Sequence, residues 1–185
     1  MNTEQRRLIL RLLTKLLLLG FIIGLIFVFM RSLPGSGLQK KQDRVDLGQL
    51  QTGQALLYDW NGKRVLILKR DMIGLSGLRQ LDDELLDPYS HHSRQPTATK
   101  NFLRSLRAEY FIVLDYGTDL NCGLNYLPHS HTGPKGRMWL GGFKDQCRGS
   151  WYDLSGRVYK GQEAKRNLTI PLYTIENQTL ILGTE

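Results

Sequence analysis

From Leu16 to Met30 no side chain is charged or polar. With Leu12 to Lys15 added, the stretch approaches the ~20 apolar residues that crossing hydrocarbon requires. Lys15 lies near its start, where a long stem can carry the ammonium out to the headgroups. Such a segment is either cleaved as a leader or kept as an anchor. The length of the run, and the lack of a small-residue cleavage site after it, favour a retained anchor. Arg6, Arg7 and Arg11 precede the run and put the N-terminus in the cytoplasm. Lys40, Lys41 and Arg44 on the far side pull weakly the other way. Arg6-Arg7 also fits a twin-arginine export signal. Gly20 and Gly24 sit one turn apart within the run, the spacing that lets a second helix approach closely.

At 185 residues the chain suits one anchor and one globular domain. The net charge of +8 suggests nucleic acid, but its distribution argues against that partner. Eight basic residues against three acidic ones precede Leu47, and seventeen against fourteen follow. Most of the basicity therefore flanks the anchor. Residues 1–30 read as cytoplasmic tail and anchor, 31–44 as a linker, and 45–185 as one extracytoplasmic domain. Pro34-Gly35-Ser36-Gly37 cannot hold a helix, and the polar residues after it are solvated.

Within the domain, Leu56-Leu57-Tyr58 and Val65-Leu66-Ile67-Leu68 flank Asn61-Gly62, a pair that supplies the positive φ values of a two-residue hairpin turn. Tyr110 to Leu114 is aromatic and β-branched and reads as a buried strand. Arg137 to Phe143, Val158 to Lys160, Leu168 to Tyr173 and Thr179 to Leu182 are further strand candidates. The stretch from Asp82 to Pro96 reads as loop with one helical turn. Many short strands with Gly and Asn turns predict an all-β sandwich or small barrel on one transmembrane helix.

Two short motifs contain the only cysteines, Cys122 and Cys147. One is Gly117-Thr118-Asp119-Leu120-Asn121-Cys122. The other is Asp145-Gln146-Cys147-Arg148-Gly149-Ser150, which runs into Trp151-Tyr152-Asp153-Leu154-Ser155-Gly156-Arg157. The pair resembles the C-T-H-L-G-C and C-P-C-H-G-S motifs of the Rieske iron–sulfur proteins of cytochrome bc complexes, with the Tyr-Asp and Ser-Gly-Arg that follow. The likeness continues over Val45 to Arg70, Asp87-Pro88-Tyr89-Ser90, Arg94-Gln95-Pro96, Arg104-Ser105-Leu106, Glu109-Tyr110, Asn167-Leu168 and Pro171-Leu172-Tyr173.

In that family the first Cys and the His of each motif hold a 2Fe-2S cluster, and the other two Cys form a disulfide. The resemblance therefore implies a bridge between Cys122 and Cys147, in line with the usual state of a cysteine pair in an exported domain. At the four ligand positions stand Gly117, Asp119, Asp145 and Arg148. Gly117 has no donor atom, Arg148 is a fixed cation, and carboxylates suit calcium or magnesium rather than an iron–sulfur core. The expectation from these residues is that the cluster is lost and the chain has no cofactor, with Arg148 lying across the seat and pairing with Asp119, Asp145 or both. The alternative is that these side chains simply face solvent. The family's G-P-A-P loop stands here as Gly161-Gln162-Glu163-Ala164. His129 with His131, and His91 with His92, are candidate metal ligands beside Asp119 and Asp145, although loop histidines are most often only solvated.

Two functional readings follow. The first is a non-catalytic, membrane-anchored structural, accessory or assembly subunit of a respiratory-chain complex, in contact with subunits such as cytochrome b or an oxidase and with the lipid bilayer. Leu120, Leu124, Tyr126, Leu127 and Pro128 would give it an apolar tip, unless they are core. The second is a quinol–cytochrome c reductase electron carrier whose cluster is held in an atypical way. A thiol–disulfide sensor built on Cys122 and Cys147 is a third, with no Cys-x-x-Cys to support it. The expected location is the bacterial inner membrane, with the domain in the periplasm.

Overall fold

The structure, a computed structural model, describes residues 3–32 and 43–183. The chain divides near residue 41 into two units. Most of the expected linker, residues 33–42 including Pro34, Gly37, Lys40 and Lys41, lies outside the described residues.

The first unit is one helix, α1 (Thr3–Ser32). It is long and apolar enough to cross a membrane, and its leucines, isoleucines and phenylalanines are exposed throughout. Its one central hydroxyl is satisfied within the helix: Thr14 Oγ1 donates to Leu10 O at 3.0 Å and to Arg11 O at 3.0 Å. A buried core face is therefore absent, and lipid is the medium that suits this surface. Gly20 and Gly24 both have open space around them.

The second unit is built of β1 (Asp43–Asp46), β2 (Ala55–Trp60), β3 (Lys63–Lys69), β4 (Tyr110–Leu114), β5 (Leu124–Leu127), β6 (Gly142–Asp145), β7 (Trp151–Asp153), β8 (Tyr173–Glu176) and β9 (Thr179–Leu182). These form three antiparallel sheets of three strands, ordered β1-β9-β8, β2-β3-β4 and β5-β6-β7. The fold is all-β, as the turn-separated apolar runs predict. One short helix, α2 (Met72–Gly77), is capped by the Asp71 carboxylate, which accepts from Gly74 N at 2.6 Å. Two 3₁₀ turns follow it, at Leu78–Glu84 and Thr97–Thr99.

The Asn61-Gly62 hairpin forms in the expected register, Trp60 opposite Lys63 and Leu57 opposite Leu66, with φ of 52° at Asn61 and 74° at Gly62. Strands β3 and β4 are the centre of the core. Val65 to Leu68 and all of β4 are buried, which explains their unbroken apolar runs in place of alternation. Other strand expectations shift. Arg137 to Leu140 is irregular, and only Gly142–Asp145 pairs. Val158 and Tyr159 make isolated bridges to Tyr152 and Leu85 rather than a strand. Leu168 to Leu172 does not join a sheet, although Thr169 O accepts from Leu114 N at 3.0 Å.

Buried arginines tie the loops to this core. Arg157 is fully buried: its Nε donates to Asp153 Oδ2 at 2.7 Å, Nη1 to Asp82 Oδ1 at 2.8 Å and Nη2 to Leu78 O at 2.8 Å. Arg104 is also fully buried, and donates to Ser155 O at 2.9 Å, Gly156 O at 3.0 Å and Gln95 Oε1 at 2.8 Å. These satisfied guanidiniums tie the segments around Leu78, Asp82 and Gln95 to the turn of residues 153–156.

Candidate functional site

The first motif leaves the end of β4 and returns into β5, and the second is the turn between β6 and β7. Leu124 lies opposite Asp145 in the β5–β6 register, which brings both loops to one end of their sheet. The first loop closes on itself through Gly117 N donating to Cys122 O at 2.8 Å, and Asn121 takes a φ of 55° to make the bend. The second closes through Asp145 N donating to Ser150 O at 2.9 Å, with Gly149 at φ 70°. Gln146 N donates to Gly123 O at 3.0 Å and links the two. A disulfide joins Cys122 and Cys147, with Cα atoms 5.9 Å apart.

At the centre is the Asp145 side chain, only 3% exposed. Its Oδ1 accepts from Cys147 N and Arg148 N, each at 2.9 Å, and so shapes the turn. Its Oδ2 points at Gly117, where an added Cβ would run into it. Glycine at 117 and the carboxylate at 145 thus share one volume. Asp145 Oδ2 has no hydrogen-bond partner among the described residues.

Arg148 Nε lies 3.3 Å from Asp119 Oδ2, and its Nη1 lies 3.5 Å from Glu163 Oε2. The Asp119 contact is an ion pair rather than an aligned hydrogen bond, since Oδ2 has no hydrogen-bond donor among the described residues. Arg148 therefore pairs through its guanidinium with Asp119 and Glu163, while Asp145 receives only its backbone N–H. Glu163 was not singled out by spacing. It reaches the seat because Gln162 Oε1 accepts from Trp151 N at 3.2 Å and Ala164 N donates to Ser150 Oγ at 3.1 Å, fastening that segment over the second loop.

Tyr152 lies beneath the first loop, its hydroxyl 3.3 Å from both Thr118 N and Thr118 Oγ1. Burial pushes its pKa up, the Thr118 hydrogen bonds oppose this, and nearby Asp145 and Asp119 add to the rise. Tyr152 remains a neutral hydrogen-bonding hydroxyl through the neutral pH range.

The histidines do not gather around the seat. His129 Nδ1 lies 3.4 Å from Asp71 Oδ2. His91 N and His92 N donate to the two oxygens of Asp87 at 2.9 and 3.0 Å, with both residues exposed. Among the described residues no group of three His, Cys, Asp or Glu side chains is placed to hold a metal ion. Of the apolar tip, Leu124 is buried in β5, and Tyr126 packs on Phe143 at 5.8 Å between ring centroids. Leu120, by contrast, is 53% exposed.

No family model matches the chain. Individual relatives do. It is 37% identical over 137 residues to the ubiquinol–cytochrome c reductase iron–sulfur subunit of Allochromatium vinosum, covering 74% of this chain and 66% of that one. The subunit of the same name from Rickettsia typhi is 32% identical over 138 residues, with 74% of this chain and 68% of that protein covered. The chain belongs to the Rieske iron–sulfur subunit family. The cytochrome b-c1 complex subunit Rieske of Schizosaccharomyces pombe is 32% identical over 139 residues, 75% of this chain and 53% of that one. The chain thus spans about two thirds of its bacterial Rieske relatives and about half of this mitochondrial one. A chain described as hyperthermophilic respiratory Complex III shares the fold, with a TM-score of 0.52 at 16% identity, over 90% of this chain and 97% of that one.

Membership of the Rieske family corrects the expectation of a chain without a cofactor. Relatives sharing three quarters of its length are iron–sulfur subunits, so the family cofactor is an iron–sulfur group. The residues that the motif resemblance sets at the ligand positions, Gly117, Asp119, Asp145 and Arg148, do not fit that group by their chemistry. Thiolates and imidazoles are what such a cluster uses. Here one position has no side chain, one is a guanidinium already paired with two carboxylates, and one is a buried carboxylate filling the glycine's volume. This mismatch concerns those four positions and does not restore the earlier expectation.

Proposed function

We propose that this chain is a single-pass subunit of a bacterial respiratory complex of the cytochrome bc type, and that it acts as a structural, accessory or assembly component. The observation that supports this reading is the seat itself. Asp145 occupies the side-chain space at Gly117 within the disulfide-joined pair of loops, and Arg148 bridges Asp119 of those loops to Glu163 on the segment fastened over them. The chain's own charged groups, Arg148 with Asp119 and Glu163, make an ion-paired surface at the positions where the resemblance sets the family's ligands. The anchor would stand in the inner membrane with its N-terminus in the cytoplasm, and the β domain in the periplasm against membrane subunits such as cytochrome b.

The test separates assembly from turnover. Deleting the chain is expected to lower the amount of host complex recovered from detergent-solubilised membranes. Complementing with Arg148→Gln is expected to restore that amount and leave quinol–cytochrome c turnover per complex unchanged. Assembly that is normal while turnover falls with Arg148→Gln would sink the reading in favour of an electron carrier with atypical ligation.

A further inference from the structure

Beside the first motif lies a cleft of about 420 Å³, lined by Arg94, Tyr116, Thr118, Asn121, Arg166, Asn167 and Thr169. Its composition is one-sided. Two arginines line it together with residues that carry hydroxyl or amide groups, and no Asp or Glu lines it. Elsewhere in the domain Arg64 pairs with Asp115, Arg137 with Glu84 and Arg148 with Asp119, while the exposed Arg79 stacks on the Phe102 ring and Arg107 donates to Asn177 O. Arg94 and Arg166 have no carboxylate partner among the described residues.

We propose that this cleft binds a small dissolved oxyanion, of the phosphate-ester or dicarboxylate class, between the guanidiniums of Arg94 and Arg166. Planar guanidinium forks suit both groups by paired N–H donors. The framework is held rigid on both sides. Arg94 O accepts from Ile170 N at 3.1 Å, and Arg166 O accepts from Thr118 Oγ1 (2.6 Å). The floor is also satisfied without a ligand: the buried Asn167 accepts from Val158 N through Oδ1 and donates through Nδ2 to Asp87 O and Ser90 Oγ. Asn167 thus shapes the cleft, and the arginines do the binding. Burial raises the Tyr116 pKa, opposed by Arg94, so its hydroxyl keeps the proton it would donate. Thr118 also touches Tyr152, which connects the cleft to the Asp119–Asp145 seat. The site is independent of the role proposed for the whole chain.

The test is calorimetric titration of the full-length protein in detergent with inorganic phosphate and, separately, malonate, against sodium chloride at matched ionic strength to remove general screening. Saturable one-to-one binding of either probe is expected, weakened at least about tenfold in Arg94→Gln/Arg166→Gln and unchanged in Lys135→Gln. Both arginines are exposed, so the double variant should keep the parent unfolding midpoint, which is measured alongside. Heats equal to the chloride control for both probes, or equal affinity in the folded double variant, would overturn the proposal.

Discussion

Gly117 and Asp145 behave as one unit of volume. A side chain at 117 meets the Asp145 carboxylate, and that carboxylate also accepts the two backbone N–H groups that form the Cys147–Arg148 turn. Gly117→Ala should therefore destabilise the domain by about 1–3 kcal/mol through overpacking. Asp145→Ala should also destabilise it by leaving those N–H groups unpaired. The pair changed together should cost less than the two added, with a coupling of roughly 0.5–3 kcal/mol in a double-mutant cycle read by denaturant unfolding. Additive costs would show that the two residues do not share space. A second residue-scale prediction concerns Arg157, fully buried with Asp153. Burial disfavours its charge, but Asp153 and Asp82 outweigh it and raise its pKa above the ordinary value. Arg157→Met strands a buried carboxylate and should cost about 3–5 kcal/mol, with a smaller loss when Asp153→Asn is added. Spacing placed Arg157 in a matched motif but said nothing of this role, because its partners Asp82 and Leu78 lie far back along the chain.

At the scale of elements, the disulfide joins the loop that enters β5 to the loop that leaves β6, at one end of that strand pair and at a sequence separation of 25. Closing a loop of that size in the unfolded chain is worth about 3–4 kcal/mol. Cys122→Ser/Cys147→Ser should lower the unfolding free energy by that amount and the denaturant midpoint with it, and the parent under reductant should match the variant. An unchanged midpoint would mean that Gln146 N to Gly123 O and the hairpin register suffice to hold the loops. The β2–β3 hairpin was legible in advance because its signal is local: Asn61-Gly62 must take positive φ, and apolar runs flank it. The strands β5 and β7 were not. Leu124 to Leu127 reads equally as an apolar tip, and Trp151 to Asp153 is too short to show a period. Pairing to β6 decides both, and pairing is a long-range contact.

For the whole domain, three tyrosines bind it to a pH range. Tyr152, Tyr159 and Tyr173 all have pKa values raised from an ordinary 10, with burial the first cause in each. A folded-state pKa above the unfolded one gives stability that is fully present below the unfolded value and lost as pH rises through the folded value. The unfolding midpoint should hold to about pH 10 and fall above it, with buried tyrosinate absorbance appearing only as the domain opens. Tyr159→Phe should flatten that alkaline limb; an unchanged limb would assign it to other groups. The anchor, the hairpin, the all-β class and the order of motifs could be read without coordinates, because apolar length, turn chemistry and residue identity are properties of neighbours along the chain. The contact of Asp145 with Gly117, the recruitment of Glu163 to Arg148, the buried guanidinium network and the cleft between Arg94 and Arg166 could not. Each joins residues that only folding brings together, and burial, not residue type, sets what their charges do there.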